Sequence, residues 1–203
     1  MVAMNSNFAN DRRTCLTAAC FIGSTLGSVI SQKLIKPLRA IEPHHYYYPV
    51  DSMHVTLRNV QTIADPPTFG ESEIKLAADG LRECLRGESA FSIDLEELFV
   101  MPTSLSVCGF SSDALQRIAD KMGLALLSAG VPDNKAYASA GIVFGNVTFC
   151  RYASHPGPEF LAAVERLRAT QIGRLSVSVI NLIVTNAVCH PAQTRTVEAF
   201  HLC

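Results

Sequence analysis

Apolar positions along this chain switch between the period of a helix and the period of a strand, and the switches outline its elements. Residues 14–22 form a continuous apolar run, which predicts a buried strand. Gly23, Ser24 and Gly27 then read as a turn. Val29, Ile30, Leu34, Ile35 and Leu38 have helical spacing and predict a helix over 28–41, with Pro37 as a kink or a late start. A short strand is expected at 45–49, and Met53 to Arg58 alternates as a strand that carries its polar residues on one face. Ile74, Ala77, Ala78, Leu81 and Leu85 mark a helix over 72–86 that stops before Gly87. Strands follow at 91–100 and 105–110. Together these make a first half of roughly four strands and two helices.

The second half repeats the plan. A helix capped by Ser111 or Ser112 carries Leu115, Ile118 and Met122 on one face and ends at Gly130. A loop follows at 131–135. A strand is expected over 142–152, and a helix opens at Pro158. The stretch 175–184 alternates at first and then turns fully apolar, which reads as one strand that deepens along its length. A final strand over 194–202 pairs back across a turn at His190-Pro191. Residues 1–13 are polar and read as a frayed terminus.

Composition narrows the function more than the fold. The chain has 203 residues, 48% of them hydrophobic, enough for one well-packed domain or two small lobes sharing a core. Seventeen Lys and Arg against 18 Asp and Glu give a net charge of −1, which argues against broad charge-driven nucleic-acid binding and leaves room for a local basic groove. Seven Cys with no secretory signal point to a reducing, cytoplasmic setting. They lack CxxC spacing, so they read as small apolar residues rather than as zinc ligands or a disulfide framework. The apolar run after Cys15 is too short and too interrupted to span a membrane.

The most informative pattern is a repeated pair. His54-Val55-Thr56 places a His and a Thr two residues apart on one strand, hence on one face. Asn146-Val147-Thr148 repeats the arrangement in the other half, with Asn where the His would be. A His-x-Thr repeated once per half resembles the two-histidine (2H) phosphoesterase superfamily, which includes RNA 2′,3′-cyclic phosphodiesterases, or 2′-5′ RNA ligases. The resemblance runs from about Thr14 to the C-terminus. The first motif matches fully and the second departs at Asn146.

That resemblance implies an α+β fold: two pseudo-symmetric antiparallel sheets with helices outside, around a central cleft, in a single domain with approximate halves 14–110 and 111–203. It also implies a monomer that acts on an RNA end or a nucleotide carrying a cyclic phosphate, with no metal and no cofactor. One His would remove a proton and the other deliver one, while the two Thr donate to phosphate. Imidazole titrates near neutrality and suits both tasks. A carboxamide does not titrate, so Asn146 would be a neutral phosphate ligand beside His54, Thr56 and Thr148. The expected activity is therefore weak or altered, and the alternative is a retired module that binds a nucleotide, an RNA end or a protein in the same cleft. Arg58 shares the face of His54 if its strand stays regular and is a phosphate contact, as is Arg151, which simple alternation puts on the opposite face unless a bulge intervenes. Tyr48, with Tyr46 and Tyr47, offers a stacking surface for a base. His44, His45, His155 and His190 are the candidates to replace the missing histidine.

Overall fold

The computed structural model describes residues 3–134 and 145–203. Strand β1 (Thr14–Phe21) runs into α1 (Gly23–Ile30), which passes through a π-helical turn at Ser31–Ile35 and continues as α2 (Lys36–Ile41). The helix thus begins about a turn earlier than its apolar spacing predicts. Gly27 is a contact residue here: a Cβ on it would lie 2.5 Å from Val50 Cγ1, so only glycine lets α1 approach the chain ahead of His54 so closely. Pro37 follows the π turn, where the regular hydrogen-bond ladder is already interrupted and its missing N–H matters less.

Next come β2 (Tyr46–Tyr47), a single 3-10 turn at Val50–Ser52, and β3 (His54–Ala64). They are followed by α3 (Glu71–Leu85), β4 (Phe91–Met101) and β5 (Ser104–Phe110). Helix α4 (Ala114–Ser128) starts after Asp113 rather than at Ser111 or Ser112, and it ends at Gly130, whose φ of +77° favours glycine. Strand β6 is Gly145–Arg151 and helix α5 is Pro158–Leu167, with Pro158 at its first turn as expected. The first three residues of the strand expected over 142–152, and Lys135 of the preceding loop, lie outside the described residues, as do Met1 and Val2.

The apolar stretch near the C-terminus is two strands, not one. Strands β7 (Gln171–Val177) and β8 (Val179–Thr185) are divided at Ser178; β7 pairs with β4, while β8 pairs with β1 and with β9 (Arg195–His201). Periodicity alone does not see this break, because both strands are core-facing and only their partners differ.

The strands form a curled antiparallel sheet in the order β7-β4-β5-β6-β3-β1-β8-β9, with β2 on β6. It divides into two four-stranded lobes, β7-β4-β5-β6 and β3-β1-β8-β9, that meet where Val55 pairs with Val147. Each lobe takes two strands from each half of the sequence. The main core lies on one face, where Leu16, Ala18, Val55, Leu57 and Val147 are buried with the inner sides of the helices. The opposite face of the central strands carries a separate small apolar cluster of Ala19, Ile183 and Cys189, with Phe21 against it. The N-terminal segment is less frayed than its composition implies. Phe8 is buried and meets Tyr46 edge-on, and its carbonyl accepts from Asn186 Nδ2.

Candidate active site in the cleft between the lobes

The site follows from the seam. In an antiparallel pair, Val55 opposite Val147 sets His54 opposite Thr148 and Thr56 opposite Asn146. Both valines are fully buried in the main core, so these four neighbours project from the other face. The structure therefore brings both halves of the repeated motif together on one side of the sheet.

Two β-bulges decide which arginine joins them. On β3, Ala18 pairs with Arg58 but Ala19 pairs with Thr56, so Leu57 is an extra residue and the alternation reverses beyond it. Asn59 now takes the site face, where Thr17 Oγ1 lies 3.4 Å from Asn59 Oδ1. Arg58 turns instead toward α4: a Cβ on Gly123 would lie 2.9 Å from Arg58 Cζ, and Asp133 stands 4.0 Å from its guanidinium. The expected position of Arg58 beside His54 is thus corrected, because the strand is not regular. On β6, Leu105 pairs with Cys150 but Ser106 pairs with Thr148, which makes Phe149 the extra residue. This second bulge carries Arg151 to the site face, where its charge disfavours a protonated His54 and favours a Cys189 thiolate. Arg151 Nε donates to the Tyr48 hydroxyl at 3.0 Å, and its guanidinium sits 6.0 Å over the Phe8 ring. Tyr48 itself is only 2% exposed, so it supports the arginine from below and presents no ring face for stacking.

His54 is held at both nitrogens. Its Nδ1 is 2.7 Å from the Ser52 carbonyl, which has no proton to give, so Nδ1 carries the hydrogen and Nε2 keeps a lone pair. Nε2 lies 3.5 Å from Cys189 Sγ. Burial opposes charge on both groups. The opposite charge and the shared hydrogen bond outweigh it, so the imidazole is raised above its usual range and the thiol is lowered below its own. Phe21 packs edge-on against the imidazole at 6.1 Å.

Across the seam, Asn146 Nδ2 donates to Ser106 Oγ at 3.2 Å and to Thr148 Oγ1 at 3.4 Å, while the two hydroxyls are 3.0 Å apart. Two hydroxyl protons serve one bond between them, which leaves one proton over. Ser106 is fully buried and Thr148 is not, so the spare proton is directed outward from Thr148. Asn146 thus puts on this face a neutral donor that bonds a neighbouring hydroxyl.

The other histidines are engaged elsewhere or lie outside this arrangement. His44 Nε2 bonds Ser154 Oγ at 3.0 Å, and His45 is buried with its Nδ1 accepting from the Ala153 N–H. That leaves His45 Nε2 with the proton, 2.7 Å from Glu42 Oε2. Glu42, His44 and His45 bring ligand atoms within 4.8 Å of one another, but a protonated Nε2 is no metal ligand. His155 is exposed, and His190 is half-buried next to Cys189 in sequence.

Among the described residues, several at the site lie beyond the motif and were not expected from it. Ser106 shows in sequence only as alternation with Leu105 and Val107. Phe8 hides in the polar N-terminal segment. Cys189 is one of seven cysteines with no distinguishing spacing, and only the fold places it on His54.

This fold, with two lobes of antiparallel strands flanking paired polar-x-Thr strands, is the 2H phosphoesterase fold. Solved structures with it match nearly the whole chain. Escherichia coli LigT in its apo form is 15% identical, with a TM-score of 0.58, over 94% of this chain and 98% of its own. A structure described as a phosphoesterase has a TM-score of 0.63 at 12% identity over 94% of this chain and 99% of its own. TT0787 of Thermus thermophilus reaches 0.62 at 15% identity over 92% of this chain and 97% of its own. No protein-family model matches the sequence. No curated protein matches it either. Among the described residues, no helix is long and apolar enough to cross a membrane.

Proposed function

We propose that the chain is a LigT-like phosphodiesterase that opens 2′,3′-cyclic phosphates, or cleaves 2′-5′ phosphodiester bonds, on nucleotides or RNA ends. The observation that carries this reading is the seam itself: His54 and Thr56 face Thr148 and Asn146 on one side of the sheet. His54 is the acid/base group, and Thr56 and Thr148 donate to phosphate oxygens. Asn146 is the neutral partner that keeps Thr148 aimed outward. Arg151 supplies the positive charge a phosphate needs, and Arg58 has no part in it. Further support comes from E. coli LigT, which is known in complexes with 3′-AMP, NADP+ and ATP. The working unit is one domain of one chain, and the reaction needs no metal because proton transfer and hydrogen-bond donors suffice.

The second reading is a retired nucleotide-binding module, favoured by Asn146, which cannot move a proton. Hydrolysis of 2′,3′-cyclic nucleotides and of a short RNA 2′,3′-cyclic phosphate tests the pair. Turnover that disappears in His54→Ala supports the enzyme. Nucleotide binding lost in Arg151→Ala, with no turnover in the wild type, supports the module.

A further inference from the structure

Cys189 stands where a nucleophile would. The lone pair of His54 Nε2 is the one place on that ring able to take a proton, and it faces the Cys189 sulfur at 3.5 Å. The other nitrogen is fixed by the Ser52 carbonyl at 2.7 Å. Nucleophile, base and orienting group therefore stand in line, the order that activates a weak nucleophile. The same residue holds both partners, because Ser52 Oγ donates to the Cys189 carbonyl at 2.7 Å while the Ser52 carbonyl holds the imidazole. Cys189 adopts φ +48°, a left-handed backbone unusual for a residue other than glycine. Asn186 fixes that turn: its carbonyl accepts from the Cys189 N–H at 3.3 Å and its Oδ1 from the His190 N–H at 3.0 Å. Backbone strain held this firmly next to a base is a mark of a functional position. Cys189 is only 4% exposed, in a small apolar cluster that keeps bulk water from the sulfur.

We propose that Cys189 is the nucleophile of this cleft and that phosphodiester cleavage proceeds through a cysteinyl-phosphate. The proposal rests on the phosphodiester reading above. The thiol proton passes to His54 Nε2, the sulfur attacks phosphorus, and the bond from phosphorus to the 2′ oxygen breaks. That oxygen leaves on the side of phosphorus away from the sulfur and takes a proton from a water there. In the second half the resulting hydroxide attacks phosphorus from that same side, and the phosphorus–sulfur bond breaks. The departing thiolate recovers the proton from His54. One water is consumed and a monophosphate ester is formed. His54 takes the thiol proton and returns it, so the reaction proceeds without a titrating group at Asn146, and a second acid there would speed departure of the 2′ oxygen.

Two measurements on the full chain test this. The first is alkylation by iodoacetamide near neutral pH, followed by mass spectrometry. Cys189 should react about tenfold faster than the exposed Cys203 of the same molecule, and His54→Gln should abolish the difference. The second is acid-quenched intact mass during reaction with 2′,3′-cyclic AMP. It should show one nucleotide monophosphate on Cys189, absent in Cys189→Ala and in Cys189→Ser, which keeps a hydrogen bond to His54. A folded Cys189→Ala that turns over at the wild-type rate overturns the proposal. So does a Cys189 no more reactive than Cys203, because a thiol that a small electrophile does not reach is not one a phosphate reaches. An activated thiol without turnover of any cyclic phosphate overturns the cysteinyl-phosphate together with the phosphodiester reading, and leaves the His54 activation of Cys189 standing.

Discussion

Replacing Asn146 by His asks what the missing acid is worth. Positions 54 and 146 are diagonal neighbours across the seam, with backbones about 7–8 Å apart. A gap of that size would fit a phosphoryl group whose entering atom lies by His54 and whose leaving oxygen lies by position 146. Asn146 is half-buried, and its amide makes two bonds, to Ser106 and Thr148. An imidazole N–H can replace one of them, so the substitution should cost about 1 kcal/mol of stability. In return the cleft gains a group that can protonate the leaving oxygen. A positioned acid or base contributes about 10²–10⁴-fold, roughly 3–5 kcal/mol of barrier. We expect single-turnover hydrolysis of 2′,3′-cyclic AMP by Asn146→His to rise at least about 10²-fold. The same substitution on a Cys189→Ala background should restore turnover by the direct two-histidine route. A folded Asn146→His with an unchanged rate, in a protein whose activity still depends on His54, would refute the reasoning, because the leaving oxygen would then need no second acid.

Further outcomes follow from the supports of the site. Tyr48→Phe removes the hydroxyl that holds Arg151 Nε, and should raise KM for cyclic nucleotides severalfold with little change in kcat; an equal loss in both would place Arg151 in the chemical step. Gly27→Ala drives a methyl into Val50, beside the turn that carries Ser52, and should cost about 1–3 kcal/mol in a denaturant titration. Burial, and then the neighbouring His44, lower His45 below the usual histidine range. The unfolded chain therefore binds a proton that the folded one does not, and stability should fall as pH drops below about 6.5. Melting temperature against pH should show that fall in the wild type and lose it in His45→Gln. The Cys189 thiol, lowered by His54, should keep its alkylation rate below about pH 8.5, where an ordinary thiol loses it; His54→Gln should move the midpoint upward.

Much of the architecture was legible because it depends on local periodicity. The buried strand at Thr14, the helices at Glu71 and Pro158, and the two polar-x-Thr strands all carry their pattern within a few residues. The failures have a common cause. The start of α1 at Gly23 depends on a contact between Gly27 and Val50, and the break at Ser178 depends on which lobe each strand joins. Arg58 and Arg151 exchanged the faces that alternation predicts because an extra residue, Leu57 on one strand and Phe149 on the other, falls between each arginine and its motif. A bulge of that kind answers to the register of the neighbouring strand and leaves no mark in its own sequence.

Local chemistry and alternation suffice for most of the elements, for the repeated pair of His54-Thr56 and Asn146-Thr148, and for a side chain at Asn146 that does not titrate, since these are properties of a few neighbouring residues. The tertiary structure alone decided that Arg151 and not Arg58 reaches the cleft, that Ser106 sets Thr148, and that Cys189 lies on the lone pair of His54. Those three depend on strand register and on contacts between residues far apart in the chain, which folding chooses by packing a whole core at once.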